Sequence, residues 1–269
     1  MPTTHLEDRS VIAVAGAEAR PFLQGLITND VEKLAPGVGL YAALLTPQGK
    51  ILFDFFLVEG DGAILIDCAA AARDALLRRL TLYKLRARIV IEPRDQLAVL
   101  AEWEGAGVEN AIAYPDPRLA ALGRRAIVAR GEMPANLAGG TAYRAHRLAL
   151  GVPEGADFGS DKMFALDADL DELHAVDFAK GCYVGQELTA RMKHRGTARK
   201  RLLPFTAAQG LEAGMPVKAG DKEIGEIASL HGRHGFALIR LDRLAEAGSA
   251  PADAGGQAVD LIKPSWLLT

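Results

Sequence analysis

The sequence predicts an α+β protein of two domains built mainly from antiparallel strands. Three observations predict it: a length of 269 residues, short apolar runs joined by hairpin-length Pro and Gly breaks in the first half, and glycine-punctuated runs about ten residues apart beyond residue 200. With 49% hydrophobic and 24% charged residues the chain has enough apolar surface for a core, which excludes wholesale disorder. A formal charge of -3 argues against a globally basic nucleic-acid binder and leaves only local patches for polyanions. The two cysteines, Cys68 and Cys182, cannot build a disulfide framework, and no paired Cys spacing offers a self-contained iron–sulfur or zinc site. Residues 1–10 carry His5, Glu7, Asp8 and Arg9, unlike a secretory or transit segment, and no apolar run has membrane-spanning length; the expectation is a cytoplasmic protein with no membrane partner.

SVIAVAG alternates apolar residues up to a glycine and reads as a strand, and AEARPFLQGLITNDV as a helix followed by a turn. YAALLTPQGKILFDFFLVEGDGAILIDC reads as three strands broken at Pro47-Gln48-Gly49 and Gly60-Asp61-Gly62. Ala69 to Lys84 has helical spacing (Leu76, Leu77, Leu80), ARIVIEP returns to strand, and QLAVLAEW and RRAIVAR are strands around a Pro-rich loop, YPDPRL. AYRAHRLALG is a helix ending at Gly151, and the turn-rich stretch to Phe178 reads as a long ordered loop. LLPFTA, MPVKAG, KEIGEIASL, HGFALIRL and QAVDLIK suggest a small barrel or sandwich, with AEAGSAPADAGG as a flexible hairpin loop inside it. The boundary falls near Arg195 to Arg201, giving domains 1–200 and 201–269.

The sharpest local signal is KGCYVGQELTARMKHRG, Lys180 to Gly196. Gly181 and Gly185 describe a tight turn feeding a helix that Gln186 and Glu187 open and Gly196 stops. Cys182, ahead of that helix and near Lys180, has two influences that favour a reactive thiolate; an inert cysteine in a buried turn fits the same spacing.

KGCYVGQE resembles the signature of the YgfZ-type folate-binding proteins, bacterial relatives of the glycine-cleavage T-protein (aminomethyltransferase), whose eukaryotic counterparts assist mitochondrial iron–sulfur protein maturation. The similarity extends through FLQGLITNDV, ALLTPQGKILFDFFLV, LYKLRARIVI, YRAHRLALGVPEG and KEIGEIASLHGRHGFALIRLD. The resemblance implies a T-protein-like (GcvT-like) fold: a folate-binding α+β domain of two interleaved subdomains, a C-terminal β-barrel, and a central cavity for tetrahydrofolate. It implies that the protein helps assemble or repair iron–sulfur clusters in client enzymes, tRNA-modifying ones included, with Cys182 as functional thiol beside Lys180. Around the folate it implies Asn29, Asp54, Arg147, Tyr183, Gln186 and Glu187. Two departures weaken the alternative, aminomethyl transfer from a lipoylated carrier: Phe53 stands where T-proteins carry the first of two adjacent acids before Asp54, and Ala149 replaces the glutamate of their R-x-E-x-G helix at Arg147.

Each polar candidate has a plainer reading. Asn29-Asp30 suits an Asx turn, Asp54 can cap a neighbouring loop, and Arg144 beside Tyr143 can lie along the surface. The run Arg191 to Arg201, with six Lys or Arg in eleven residues, could neutralise a polyglutamate tail, dock an RNA or acidic partner, or form a solvated hinge. His231 and His234 lack a third ligand in sequence, so no metal site is expected there.

Overall fold

The computed structural model describes residues 3–103, 108–196, 199–208 and 210–268. The chain forms two compact units: Met1–Leu45, Leu52–His146 and Leu173–Val184 make the first, and Thr46–Ile51, Arg147–Glu172 and Gly185–Thr269 the second. In chain order the first two thirds contain β1 (Thr3–His5), β2 (Arg9–Ala15), α1 (Ala19–Gln24), β3 (Leu40–Leu45), β4 (Ile51–Gly60), β5 (Ala63–Ala69), α2 (Arg73–Lys84), β6 (Val90–Pro93), β7 (Leu97–Glu102), β8 (Ile112–Pro115), β9 (Arg124–Ala129) and α3 (Gly140–Ala149). There follow α4 (Gly155–Phe158), α5 (Gln186–His194), β10 (Lys200–Ala207), β11 (Pro216–Ala219), β12 (Lys222–His231), β13 (His234–Arg240), α6 (Leu241–Ala247), β14 (Ala252–Ala254) and β15 (Gln257–Leu261).

The first unit holds a five-stranded sheet, β3-β4-β5-β2-β6, and a four-stranded one, β1-β7-β9-β8. Strand alternation decides what each face does. Ile12 and Val14 of β2, Phe55 and Leu57 of β4, and Ile64, Ile66 and Cys68 of β5 share a core with Leu23 of α1 and Leu76 and Leu80 of α2. The residues between them point to the other sheet, where β2 packs on β7, and that layer is partly ionic. Asp67 of β5 accepts from Arg9 Nε at 2.6 Å and from Arg125 Nη2 of β9 at 2.6 Å. Arg118, held to Asp116 at 2.8 Å, also donates to the Tyr143 hydroxyl at 3.0 Å. The guanidinium carbons of Arg125 and Arg118 lie 4.0 and 4.7 Å from the centre of the Phe56 ring, cation–π distances.

In the second unit β10-β13-β12-β11-β14-β15 close into a barrel around Phe205, Val217, Ile224, Ile227, Ile239 and Val259. Two glycines of its sequence pattern mark close backbone approaches: a Cβ on Gly225 would collide with the Leu238 carbonyl, and one on Gly235 with the Ser229 carbonyl.

Several expectations are corrected. The Ala- and Gly-rich stretch 245–256 is not simply a loop: it carries the end of α6 and all of β14, which completes the barrel by pairing with β11 and β15. The Pro-rich YPDPRL begins inside a strand, because Pro115 sits at the end of β8 on the sheet edge, where a missing N–H costs no ladder bond. The long loop before Phe178 contains α4, closed by a reciprocal capping box between Glu154 and Asp157. Among the described residues no helix is long and apolar enough to cross a membrane.

Candidate functional site

The signature segment is pinned rather than loose. Lys180 is buried, and its ammonium donates to three backbone carbonyls, Gln24 at 2.9 Å, Ile27 at 2.6 Å and Asn29 at 2.8 Å, at and just beyond the C-terminal end of α1. Burial lowers its pKa to about 8, against the opposing pull of Asp30 and Asp177. Its Nζ also stands 5.0 Å from the centre of the Tyr183 ring, which is buried with it. Gly185 caps α5 in a left-handed conformation with φ +82°, and Gly196, φ +57°, follows its end as the sequence predicts. Between these anchors lies Cys182, exposed, whereas Cys68 is buried in the core, where desolvation pushes its thiol up to about 12. The helix begins only at Gln186 and Lys180 is committed to carbonyls, so exposure is what distinguishes the two thiols.

Asn29 and Asp54 belong to the same unit as Lys180. The Asn29 amide donates to the Tyr41 carbonyl at 2.7 Å and the His174 carbonyl at 2.8 Å, and its oxygen accepts from the Asp30 amide at 2.8 Å. It thus stitches the turn after α1 to β3 and to the residues leading into the signature. Thr28 does the same, donating to the Ala175 carbonyl at 2.6 Å and accepting from the Ala43 amide at 2.8 Å. Asp54 is buried on β4 and accepts from the Tyr41 hydroxyl at 3.0 Å, while the Tyr41 ring stacks on Phe56, 4.9 Å between centres. Phe53, in the place of the missing acid, packs against the helix-side core.

Arg147 lies in the second unit. Its guanidinium bonds the Val152 carbonyl at 2.5 Å and the Asp157 carboxylate at 2.9 Å, with Glu154 at 3.5 Å. Asp157 also accepts from Ser229 at 2.7 Å and pairs with His231 at 2.6 Å. Burial would raise its pKa, but His231, Arg147 and Ser229 together hold it below the usual carboxylate range. His231 therefore has a carboxylate partner, and no cluster among the described residues could hold a metal. Gln186 is half-buried at the start of α5, and Glu187 is exposed and pairs with Arg191 one turn on at 2.7 Å.

The basic run is partly internal. Arg201 is buried against Asp171 at 2.8 Å, and Lys193 reaches the same carboxylate at 3.4 Å. Thr197 and Ala198 of the run lie outside the described residues. Tyr143 is buried in the ionic layer, while Arg144 is exposed. Sequence reasoning missed Tyr41, Thr28 and Asp177. Asp177 had a local signal: it forms an Asx turn with the Ala179 amide at 2.8 Å three residues before Lys180, and its other oxygen takes Lys33 at 2.5 Å.

Residues 199–268 match the family model described as CAF17, C-terminal beta-barrel domain. The solved structure of the glycine cleavage system aminomethyltransferase T from Bartonella henselae is similar with a TM-score of 0.77, covering 99% of this chain and 86% of that one. At 15% identity this likeness shows the fold: aminomethyltransferase T-like, α+β, mostly antiparallel, with a C-terminal six-stranded barrel. The mitochondrial iron–sulfur cluster assembly factor IBA57 of Homo sapiens is 32% identical over 300 residues, covering 97% of this chain and 84% of its own. The mitochondrial homolog from Neurospora crassa is 34% identical over 231 residues, 75% of this chain, which spans about half (52%) of that protein. These relatives overturn the expectation of a cytoplasmic protein, since both are named as mitochondrial; the composition of residues 1–10 was too weak a sign to set against them. On the identity and coverage of the human protein, this chain belongs to the IBA57 family of iron–sulfur cluster assembly factors.

Proposed function

We propose that this protein assists iron–sulfur cluster assembly through Cys182, and that it binds a reduced folate against the Asp54–Tyr41 wall. The observation that carries the first part is an exposed thiol on a segment whose neighbour, Lys180, is fixed by three carbonyls. Such a thiol can approach a cluster or a partner without ordering a floppy loop first, which keeps the entropic cost of engagement low. A protein with two cysteines, one of them buried, can supply one thiolate to a cluster that usually takes four, so the remaining ligands would come from a carrier or client protein. Clients would include tRNA-modifying iron–sulfur enzymes, as for the YgfZ-type proteins that the signature resembles. The test is complementation: in cells lacking the endogenous factor, Cys182→Ser should fold normally and fail to restore iron–sulfur enzyme activity. Full restoration by the serine variant would remove the thiol from the proposal.

For tetrahydrofolate the residues fit in part. Asp54 offers a carboxylate suited to the polar edge of a pterin, whereas the Tyr41 and Phe56 rings are buried under Arg118 and Arg125, the amide of Asn29 is committed to backbone groups and Arg147 to Asp157. Folate, when bound, would present its pterin nitrogens; Asp54 would orient them by accepting their protons' hydrogen bonds. Titration with tetrahydrofolate should give saturable binding that Asp54→Ala weakens by about 1.5–3 kcal/mol. The same preparation, offered an aminomethyl-lipoyl carrier, should release no ammonia; methylene-tetrahydrofolate formation at T-protein rates would favour the transferase reading that the fold allows.

A further inference from the structure

From residue 78 to 88 the chain reads RRLTLYKLRAR, five cations without an acid, in a protein that carries 34 acidic and 31 basic side chains. Arg88 pairs with Glu18 at 2.7 Å. Arg78, Arg79, Lys84 and Arg86 have no ion-pair partner among the described residues. Among these cations stand two leucines with no core to fill: Leu82 is 71% and Leu85 88% exposed, and Val90, opening the edge strand beside α2, is 55% exposed. The inward face of α2 is fully used, with Leu76 and Leu80 buried and Leu77 and Tyr83 packed against the same core. Leu85 carries a second cost, because it ends the helix at φ +45°, backbone that favours glycine. A leucine that is both strained and solvent-exposed gains nothing from its own chain, and strain of this kind concentrates at functional sites.

We propose that the corner made by the last turn of α2, Leu85 and the start of β6 is a docking surface for a protein whose binding face has an apolar pocket rimmed by carboxylates. Leu85 is the knob that enters the pocket, Leu82 and Val90 border it, and the unpaired cations meet the rim. Charge complementarity selects an acidic partner. The amount of apolar surface selects a protein over a bilayer: an interfacial helix needs a continuous apolar face, and that of α2 is already buried in the core, whereas one or two anchor side chains suffice at a protein interface.

Peptides selected from a random display library on the intact protein provide the probe. The selected sequences should combine Asp or Glu with Leu, Ile or Phe, and should bind less tightly as salt rises. A Leu82→Ser/Leu85→Ser variant and an Arg78→Glu/Arg86→Glu variant should each weaken them about tenfold or more, with unchanged thermal unfolding. Leu85→Gly, suited to its backbone, separates the roles: it should keep or raise thermal stability while losing peptide binding. Selected peptides without acidic residues, or peptides indifferent to all three variants, would overturn the proposal. So would vesicles of phosphatidylcholine with phosphatidylglycerol that bind wild type and release the same variants, since the surface would then be a membrane contact.

Discussion

Buried aspartates occur in two settings in this molecule, and the two settings partner them differently. In the layer between the two sheets of the first unit, Asp67 is gripped by Arg9 and by two nitrogens of Arg125, and Asp116 by Arg118 at two oxygens. In the turn at residues 164–172 of the second unit, Asp169 is fully buried at φ +60°, and neither oxygen has a well-formed hydrogen bond among the described residues; Arg201 stands 3.7 Å away and the Leu202 amide is the other nearby donor. Burial drives its pKa well above the ordinary value despite Arg201, and raises Asp167 to about 6 against Lys200 and Arg201. The difference lies in the number of committed donors, not in depth. A paired carboxylate fixes how two sheets dock, and a poorly paired one keeps its proton to higher pH because burial penalises its charge.

The largest effect should come from breaking the paired setting. Asp67→Ala strands two guanidiniums whose side chains are 6% and 1% exposed, and should cost about 3–5 kcal/mol in a denaturant titration. A loss below about 1 kcal/mol would mean that water or another anion takes over, and the contrast with Asp169 would lose its basis. Asp67→Asn keeps the shape and removes the charge, so it should fall between wild type and alanine.

The poorly paired setting should respond with the opposite sign. A carboxyl whose folded pKa is raised binds more protons folded than unfolded between the two values, so stability falls as pH rises through that window. For Asp167 the window runs from 3.8 to about 6. Asp167→Asn should flatten the stability profile there and add on the order of 2 kcal/mol at neutral pH. Asp169→Asn should also stabilise near neutrality, because asparagine tolerates a left-handed backbone and needs no proton. Unchanged profiles in both variants would place these acids in better solvated surroundings than the burial implies.

Legibility in the sequence followed the range of the physics. Strands such as ILFDFFLV and AILIDC and the helix over 73–84 announced themselves by local period, and the hairpin breaks by Pro and Gly. Strands of three residues, β1 and β14, have too few positions to show any period, and Pro115 disguised β8. The signature yielded Lys180, Cys182 and the start of α5 because glycines mark tight turns. It did not yield the carbonyl cage of Lys180, which joins residues more than 150 positions apart, nor Tyr41 beneath Asp54. Arg9, Arg118 and Arg125 carry no local signal of their burial, and the charged layer emerges only from the strand register that sets Asp67 opposite Phe56.

The smallest stability effect is expected at the residue on which the proposed function depends most. Cys182 is exposed, so Cys182→Ser should change unfolding free energy by no more than about 0.5 kcal/mol. Cys68→Ser puts a hydroxyl into an apolar core beside Ile66 and Phe55, and should cost about 1–3 kcal/mol. The two thiols should separate chemically as well. The Cys68 thiol, pushed up to about 12 from 9.0, keeps its proton in the folded state where the unfolded chain loses it, so this group makes stability fall as pH climbs above about 9, and Cys68→Ala should remove that slope. Alkylation of the native protein, followed site by site by mass spectrometry, should label Cys182 first and reach Cys68 only at the rate of unfolding. Equal labelling of both at neutral pH would mean that the helix-side core opens readily, and exposure would no longer single out Cys182 as the working thiol.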